Sequence, residues 1–173
     1  MAVISNLYPP IVNDVQPAFV RTGNCNIYFA LSSFNSLTDI KHVQVTLINQ
    51  KTNQTAFKSS YPLGIKFISS ISTVQNPTDD YKYYITINAT DLIGDIFGLN
   101  TFYKVQIRFG DIVLPSNPDA AWLEANINHF SEWSKVCLIK GITQPHISIN
   151  TLEEGNLVTF FIPPTEFVGK MYY

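Results

Sequence analysis

The sequence predicts an all-β protein built as an antiparallel sandwich of two sheets. Residues 103–109 alternate strictly between apolar and polar side chains, which is the pattern of a strand with one buried face. The run 130–139 begins with two aromatic residues, Phe130 and Trp133, and predicts a second apolar strand; we expect residues 133–139 to lie beside 103–109. The polar residues are mainly Asn, Ser, Thr and Gln, and aromatic residues make up 13% of the chain, a balance typical of sheets with one solvated face.

The remaining elements follow from the same alternation and from turn residues. Tyr8-Pro9-Pro10 opens an extended segment, because the two prolines are incompatible with a helix. Turns or loops are predicted at 23–24, 49–53 and 76–80, and residues 89–100 carry the chain from one sheet to the other. The strands predicted between these segments are residues 26–31, 41–48, 55–58, 65–71 and 82–88.

A long insert, residues 110–129, replaces the hairpin turn expected after residue 109. Asn117 as N-cap, Pro118 at the first helical position and Asp119 in the first turn predict a short helix within it. The apolar stripe of this helix and the aromatic residue after it are Trp122, Leu123, Ile127 and Phe130. Two interpretations stay open: the stripe is a contact surface for a partner, or it closes the end of its own sandwich.

A short internal repeat indicates that the chain contains two domains. Residues 22–29 resemble residues 154–161, and a proline-containing extended segment precedes each of them. We therefore predict a sandwich domain at 1–140 and the first strands of a second, incomplete sandwich at 141–173. Either the chain is the front of a longer tandem protein, or its last strands complete a sheet in a neighbouring subunit.

Charge and hydropathy argue against two classes of partner. Only 14% of the residues are charged and the net charge is −2, so we expect no nucleic-acid binding and no attraction to an anionic membrane. No apolar run approaches the roughly 18 to 20 residues needed to cross a bilayer, and residues 1–13 do not have the pattern of a signal peptide. We expect a protein made in the cytoplasm without membrane insertion.

The sequence contains none of the common catalytic motifs. It has no Gly-x-Ser-x-Gly, no glycine-rich phosphate loop and no cysteine with a nearby histidine, so we predict no enzymatic activity and no cofactor. The three histidines lack metal-ligand spacing, and the acidic pairs at 79–80 and 153–154 lack the staggered oxygens of a calcium loop. We therefore predict no metal site; the histidines are His42, His129 and His146.

Cys25 and Cys137 lie far apart in sequence and form neither a metal pair nor a dense disulfide framework. Each lies in register with inward-facing apolar residues. A disulfide between two core strands and two buried free thiols are both compatible with this placement, and a reducing cytoplasm favours the thiols.

The run Phe130-Ser131-Glu132-Trp133-Ser134 resembles the Trp-Ser-x-Trp-Ser element of the fibronectin type III domains of cytokine receptors. In that element tryptophan faces stack on arginines from the preceding strand, so the resemblance implies at most one such contact here, Arg108 over Trp133. It also implies that the sandwich is immunoglobulin-like, with Leu99 as the leucine that anchors the crossing between sheets. The expected lack of a signal peptide and a membrane span argues against a receptor.

Residues 103–142 as a whole resemble tandem-sandwich proteins of bacterial viruses, of the kind found in tails, baseplates and fibres. The resemblance implies a non-enzymatic virion protein that assembles with other virion proteins and forms homo-oligomers. An alternative is a carbohydrate-binding or adhesin module that recognises a glycan of the host surface, with Trp122, Tyr172 or Tyr173 as its stacking ring. A third is an accessory domain of an enzyme.

Overall fold

The computed structural model describes residues 5–12, 19–20, 23–78, 81–98, 100–141, 146–152 and 155–161. Single 3₁₀ turns lie at Pro62–Gly64, Ala89–Asp91 and Ile127–His129. The strands and the helix of the described residues are, in chain order, β1 (Phe19–Val20), β2 (Asn24–Phe29), β3 (His42–Asn49), β4 (Ile65–Ile68), β5 (Ser72–Thr78), β6 (Tyr81–Asn88), β7 (Phe102–Gly110), α1 (Ala120–Ala125), β8 (Cys137–Gly141), β9 (His146–Leu152) and β10 (Gly155–Phe161).

Two sheets form the body of the protein. One has the strand order β1-β8-β7-β3-β4 and the other the order β2-β6-β5. Adjacent strands are antiparallel except for the short parallel pair of β1 with β8. β7 lies between β3 and β8, with Val105 opposite both Leu47 and Cys137. The predicted antiparallel β-sandwich and the predicted pairing of β7 with the following strand are therefore confirmed.

The core lies between the two sheets and consists of the inward-facing residues of each strand. Val43, Val45 and Leu47 of β3 are completely buried, as alternation predicts for one face of a strand. Phe29 of the three-stranded sheet meets Phe109 of the five-stranded sheet at 5.5 Å between ring centroids. Apolar side chains from both sheets thus share one continuous core, and burial of their surface provides most of the driving force for folding.

Cys25 and Cys137 are part of this core, and each keeps its thiol instead of forming a disulfide with the other. Burial raises the pKa of the Cys25 thiol to about 12, and the nearby Cys137 adds to the rise. The structure therefore has the second of the two predicted arrangements, in which the thiols pack as small apolar groups.

Three predicted elements differ in their bounds. β4 ends at Ile68, and β5 extends to Thr78 through residues predicted as a loop. Among the described residues, β5 pairs with β6 at Ser72, Thr73 and Thr78, with a register shift between Thr73 and Thr78. This irregular strand accommodates Pro77 although proline cannot donate a ladder hydrogen bond. The strand predicted at 55–58 is reduced to the isolated bridges of Thr55 with Ile48 and of Phe57 with Leu92.

The helix of the insert begins two residues later than predicted. Asp119, not Asn117, is the N-cap, and its side chain accepts a hydrogen bond from the Trp122 amide at 2.8 Å. A carboxylate in the N-cap position satisfies a backbone N–H that has no partner inside the helix, which explains the choice of this residue. α1 is six residues long, and Asn126 separates it from the 3₁₀ turn Ile127–His129.

β9 and β10 form an antiparallel hairpin with a sheet of its own. The backbone is therefore extended at 155–161, as it is at β2, but the assignment of residues 141–173 to a second sandwich stays a prediction. Leu99, Tyr172 and Tyr173 lie outside the described residues. Among the helices of the described part of the chain, none is long and apolar enough to cross a membrane.

Candidate functional site

Three of the buried polar side chains on the outer face of the five-stranded sheet lie next to one another. His42 and Gln44 of β3 are completely buried, and Arg108 of β7 lies directly opposite Gln44 in the ladder. Their positions alternate with the core residues of the same strands, so they point away from the core. They are buried because the insert covers this part of the sheet, and buried polar groups are costly unless they are hydrogen-bonded.

One chain of hydrogen bonds connects the three side chains. Arg108 Nε donates to Gln44 Oε1 at 2.8 Å, Gln44 Nε2 lies 3.0 Å from His42 Nε2, and His42 Nδ1 lies 2.9 Å from the carbonyl oxygen of Ile112. Because arginine can only donate, the amide of Gln44 must donate to His42 Nε2, and His42 Nδ1 must donate to Ile112. The chain of donors therefore requires a neutral His42.

The surroundings of His42 agree with a neutral ring. Burial lowers its pKa to about 4; the charge of Arg108 also lowers the pKa, while the Ile112 carbonyl and Asp111 oppose the shift. The ring lies 5.8 Å from Phe67 and 5.9 Å from Phe130, measured between centroids. It also lies over Gly110, its ladder partner, where a Cβ would come within 2.2 Å of the imidazole.

Stability should consequently fall in mild acid. The folded-state pKa of His42 is about 4 and the ordinary value is 6.5, so the unfolded chain takes up the proton first. The contribution of neutral His42 is complete above pH 6.5 and is lost as the pH falls towards 4, at about 1.4 kcal/mol per pH unit and about 3 kcal/mol in all. Urea unfolding between pH 7 and pH 4.5 measures the loss.

The control for this prediction is His42→Gln, which keeps one donor and one acceptor but does not titrate in this range. Its stability should depend less on pH than that of the native chain. Parallel curves for the two proteins would show that the acid sensitivity has another source.

The guanidinium of Arg108 lies between two aromatic rings. Its Cζ is 4.7 Å from the centroid of Phe130 and 4.4 Å from the centroid of Trp133. The predicted contact with Trp133 is present, but the expectation of at most one such contact is corrected, since Phe130 is almost equally close. Burial lowers the pKa of Arg108 to about 10 against the opposing charge of Glu132, so the side chain is charged at neutral pH.

Two serines attach the aromatic segment to β7. Ser131 Oγ accepts from the Phe109 amide at 3.0 Å, and Ser134 Oγ accepts from the Ile107 amide at 3.1 Å. The amides of the same serines donate to the carbonyl oxygens of Phe109 and Ile107. Three residues of the segment thus match two residues of β7, which places Phe130 and Trp133 on the same side of the segment, over Arg108.

This arrangement corrects the predicted start of the last strand at residue 133. Side-chain hydroxyls replace part of the regular ladder, and β8 begins only at Cys137. The sequence contains a pattern that marks this irregular segment. It consists of two successive triplets of an aromatic residue, a serine and a charged residue, Phe130-Ser131-Glu132 and Trp133-Ser134-Lys135. Period-two alternation cannot detect a repeat of three.

The helix stripe packs against this face of the sheet. Leu123 and Phe130 are buried with Ile65, and Trp122 packs beside them with its ring 6.0 Å from Phe67. Ile127 is exposed. The stripe therefore packs on its own sandwich, but it covers the outer face of the five-stranded sheet, whereas the second interpretation placed it at the end of the sandwich. We call these covered residues the cap cluster: His42, Gln44, Arg108, Trp122, Leu123, Phe130 and Trp133.

The two ends of the insert form a second feature. The bridge between Gly110 and Phe130 brings Asp111 next to His129, whose Nδ1 lies 2.9 Å from Asp111 Oδ1. They line an open groove of about 590 Å³, within the range of small-molecule sites. We call it the end groove; its lining includes Asn6, Phe34, Asp39, Lys41, Asp111 and His129.

Sequence reasoning missed the end groove because its residues come from three separate segments. In the sequence, Asp111 and His129 lie at the two ends of the insert. Pairing of those ends would have placed the two side chains together, but the sequence pattern alone did not show that the insert closes in this way.

A third feature lies on the part of the sheet that the insert does not cover. Phe102 and Leu138 are each 45% exposed, and both point to the outer face, from β7 and β8. Lys104 lies between Ile48 and Leu138 in the ladder, so apolar and basic side chains alternate across three strands. We call Ile48, Phe102, Lys104 and Leu138 the open-face patch.

These three features differ in what they can do. The cap cluster connects the sheet to the insert through the bond from His42 to the Ile112 carbonyl and through the aromatic contacts of Arg108, and its histidine is inaccessible, so the cluster fixes the insert on the sheet. The end groove and the open-face patch are accessible to other molecules. Among the described residues no group of three or more His, Cys, Asp or Glu side chains could hold a metal ion.

Comparison of the chain with models of protein families finds no match, and comparison with curated protein sequences finds none either.

Proposed function

We propose that this chain is a non-enzymatic structural protein of a bacteriophage virion, of the tail, baseplate or fibre type, which assembles with other virion proteins. We further propose that its sandwich is of the immunoglobulin-like, fibronectin type III kind. The support is the resemblance of residues 103–142, together with the aromatic and arginine stacking at Phe130, Arg108 and Trp133.

The observation that carries the assembly proposal is the open-face patch. A sheet face with Phe102 and Leu138 about half exposed on neighbouring strands offers apolar surface that a partner can bury. Aromatic residues often supply much of the binding free energy of interfaces. Ile127, the exposed member of the predicted stripe, extends the candidate contact surface to the insert.

Immunogold labelling tests the function directly. Antibodies raised against the chain should label virions purified from the host culture that expresses it, at one part of the particle. Purified virions that carry no label would overturn the proposal.

Self-association tests the patch. The purified chain should form oligomers in sedimentation velocity, and the double change Phe102→Asp with Leu138→Asp should weaken self-association by about tenfold or more, because it places two charges in the interface. Ile93→Asp is the matched control, since Ile93 is also exposed but lies outside the patch. Equal weakening by both variants, or a monomer at every concentration, would contradict the role of the patch. If Ile127→Asp weakened self-association and the double variant did not, the contact surface would lie on the insert and not on the open-face patch.

The alternative function, a carbohydrate-binding or adhesin module, has one observation in its favour. Trp122, predicted as a stacking ring, packs in the cap cluster, but another aromatic side chain, Phe34, is exposed in the end groove.

A further inference from the structure

The end groove contains an exposed aromatic side chain, Phe34, whose position is fixed by contacts with Tyr8. Phe34 is 75% exposed, and its ring lies 5.1 Å from that of Tyr8. Next to it, Asn35 Oδ1 accepts from the Tyr8 amide and Asn35 Nδ2 donates to the Tyr8 carbonyl oxygen, both at 3.0 Å. The two segments are therefore clamped together, so the aromatic surface is preorganised before any ligand arrives.

The groove also has both hydrogen-bond donors and hydrogen-bond acceptors. Within the described residues, neither the Asp39 carboxylate nor the Asn6 amide has a side-chain hydrogen bond, and the Asp111–His129 pair leaves Nε2 of His129 unbonded. Lys41 Nζ donates to the Thr38 carbonyl at 2.7 Å, which holds the ammonium at this side of the loop with donors to spare. Donors and acceptors thus surround the aromatic ring.

The balance of charge indicates the class of ligand. Asp39 and Asp111 would repel a polyanion, while Lys41 offsets part of their charge and can itself donate to a neutral oxygen. A ligand rich in hydroxyl groups, with an apolar C–H face and no net charge, satisfies both the ring and the polar groups. We propose that the end groove binds a neutral carbohydrate. This inference is independent of the assembly function, because Phe34 and Asp39 are not part of the open-face patch.

Titration of the full chain with four neutral oligosaccharides tests the proposal. The probes are oligomers of glucose, mannose, galactose and N-acetylglucosamine, and oligogalacturonate is the charged counterpart. Saturation-transfer NMR and calorimetry detect the binding. At least one neutral oligomer should bind. Phe34→Ala should weaken that binding at least tenfold, Phe34→Tyr should retain it, and Asp39→Asn should weaken it.

Two controls keep the test specific. Val113→Ala changes another highly exposed apolar residue that does not line the groove, and the double variant of the open-face patch changes self-association alone; both should bind the sugar like the native chain. Thermal unfolding confirms that each variant is folded. The proposal is overturned if none of the neutral oligomers binds at millimolar concentration, if oligogalacturonate binds in their place, or if Phe34→Ala binds as tightly as the native chain.

Discussion

Replacement of Arg108 by alanine should lower the free energy of unfolding by about 3 kcal/mol. The side chain is buried between Phe130 and Trp133, and it provides the hydrogen bond that orients Gln44. Its removal takes away two cation–π contacts and leaves a buried amide oxygen without a partner, and each loss is destabilising. Urea unfolding at neutral pH measures the change.

Two other variants, Arg108→Lys and Lys104→Ala, provide the controls for Arg108→Ala. Arg108→Lys keeps the positive charge but not the planar group that stacks on both rings, so it should recover only part of the lost stability. Lys104→Ala changes a cationic residue on the same strand and face outside the cap cluster, and should cost about 0.5 kcal/mol or less. If Arg108→Ala were as mild as Lys104→Ala, the stack would have no stabilising role.

Lys66→Met should have an effect of similar size, about 3 kcal/mol. Lys66 Nζ lies 2.7 Å from Asp91 Oδ2, and the two side chains are only 13% and 12% exposed. Asp91 also accepts from the Tyr61 hydroxyl at 2.6 Å and from the Asn88 amide at 3.0 Å. Without Lys66 a largely buried carboxylate would lose its counter-charge, and this carboxylate holds the turn that follows β6.

The chain contains a matched control for this experiment. Lys58 pairs with Asp95, but these side chains are 41% and 61% exposed, so Lys58→Met should cost about 0.5 kcal/mol or less. The pKa of Asp91 gives a second measurement. Burial alone would raise that pKa, yet hydrogen bonds from Lys66, Tyr61 and the Asn88 amide hold it below its ordinary value. In Lys66→Met the pKa of Asp91 should therefore rise; equal costs for the two methionine variants would contradict the role of burial.

Much of the sandwich could be predicted because burial on one face of a strand leaves a period of two in the sequence. The inward residues of β3 and β7 follow that period, and the two strands lie side by side in the structure. The pairing of β7 with β8 does not follow from alternation; it was predicted from the resemblance of residues 130–134 to the end of a fibronectin type III domain. The bounds of β5 were not, since an irregular strand that contains a proline has no regular alternation to detect.

One contact of the cap cluster was predicted from the sequence, but the hydrogen bonds that connect its polar side chains were not. Trp133 over Arg108 followed from the resemblance of residues 130–134. The chain from Arg108 through Gln44 to His42 did not, because alternation shows that these residues share a face but not whether another segment covers it. The serine bonds to β7 replace ladder bonds locally, and for that reason the last strand was predicted to begin too early.

The amino-acid sequence by itself determined which residues of the strands face the core, since that choice depends on local alternation between apolar and polar side chains. Only the tertiary structure decided which polar residues of the outer face are buried and which side chains meet at the end groove. Asp111 and His129 are 18 positions apart, and Phe34 lies in a third segment. Their proximity depends on how the insert and the neighbouring loops close over the sheet, and a local pattern does not contain that information.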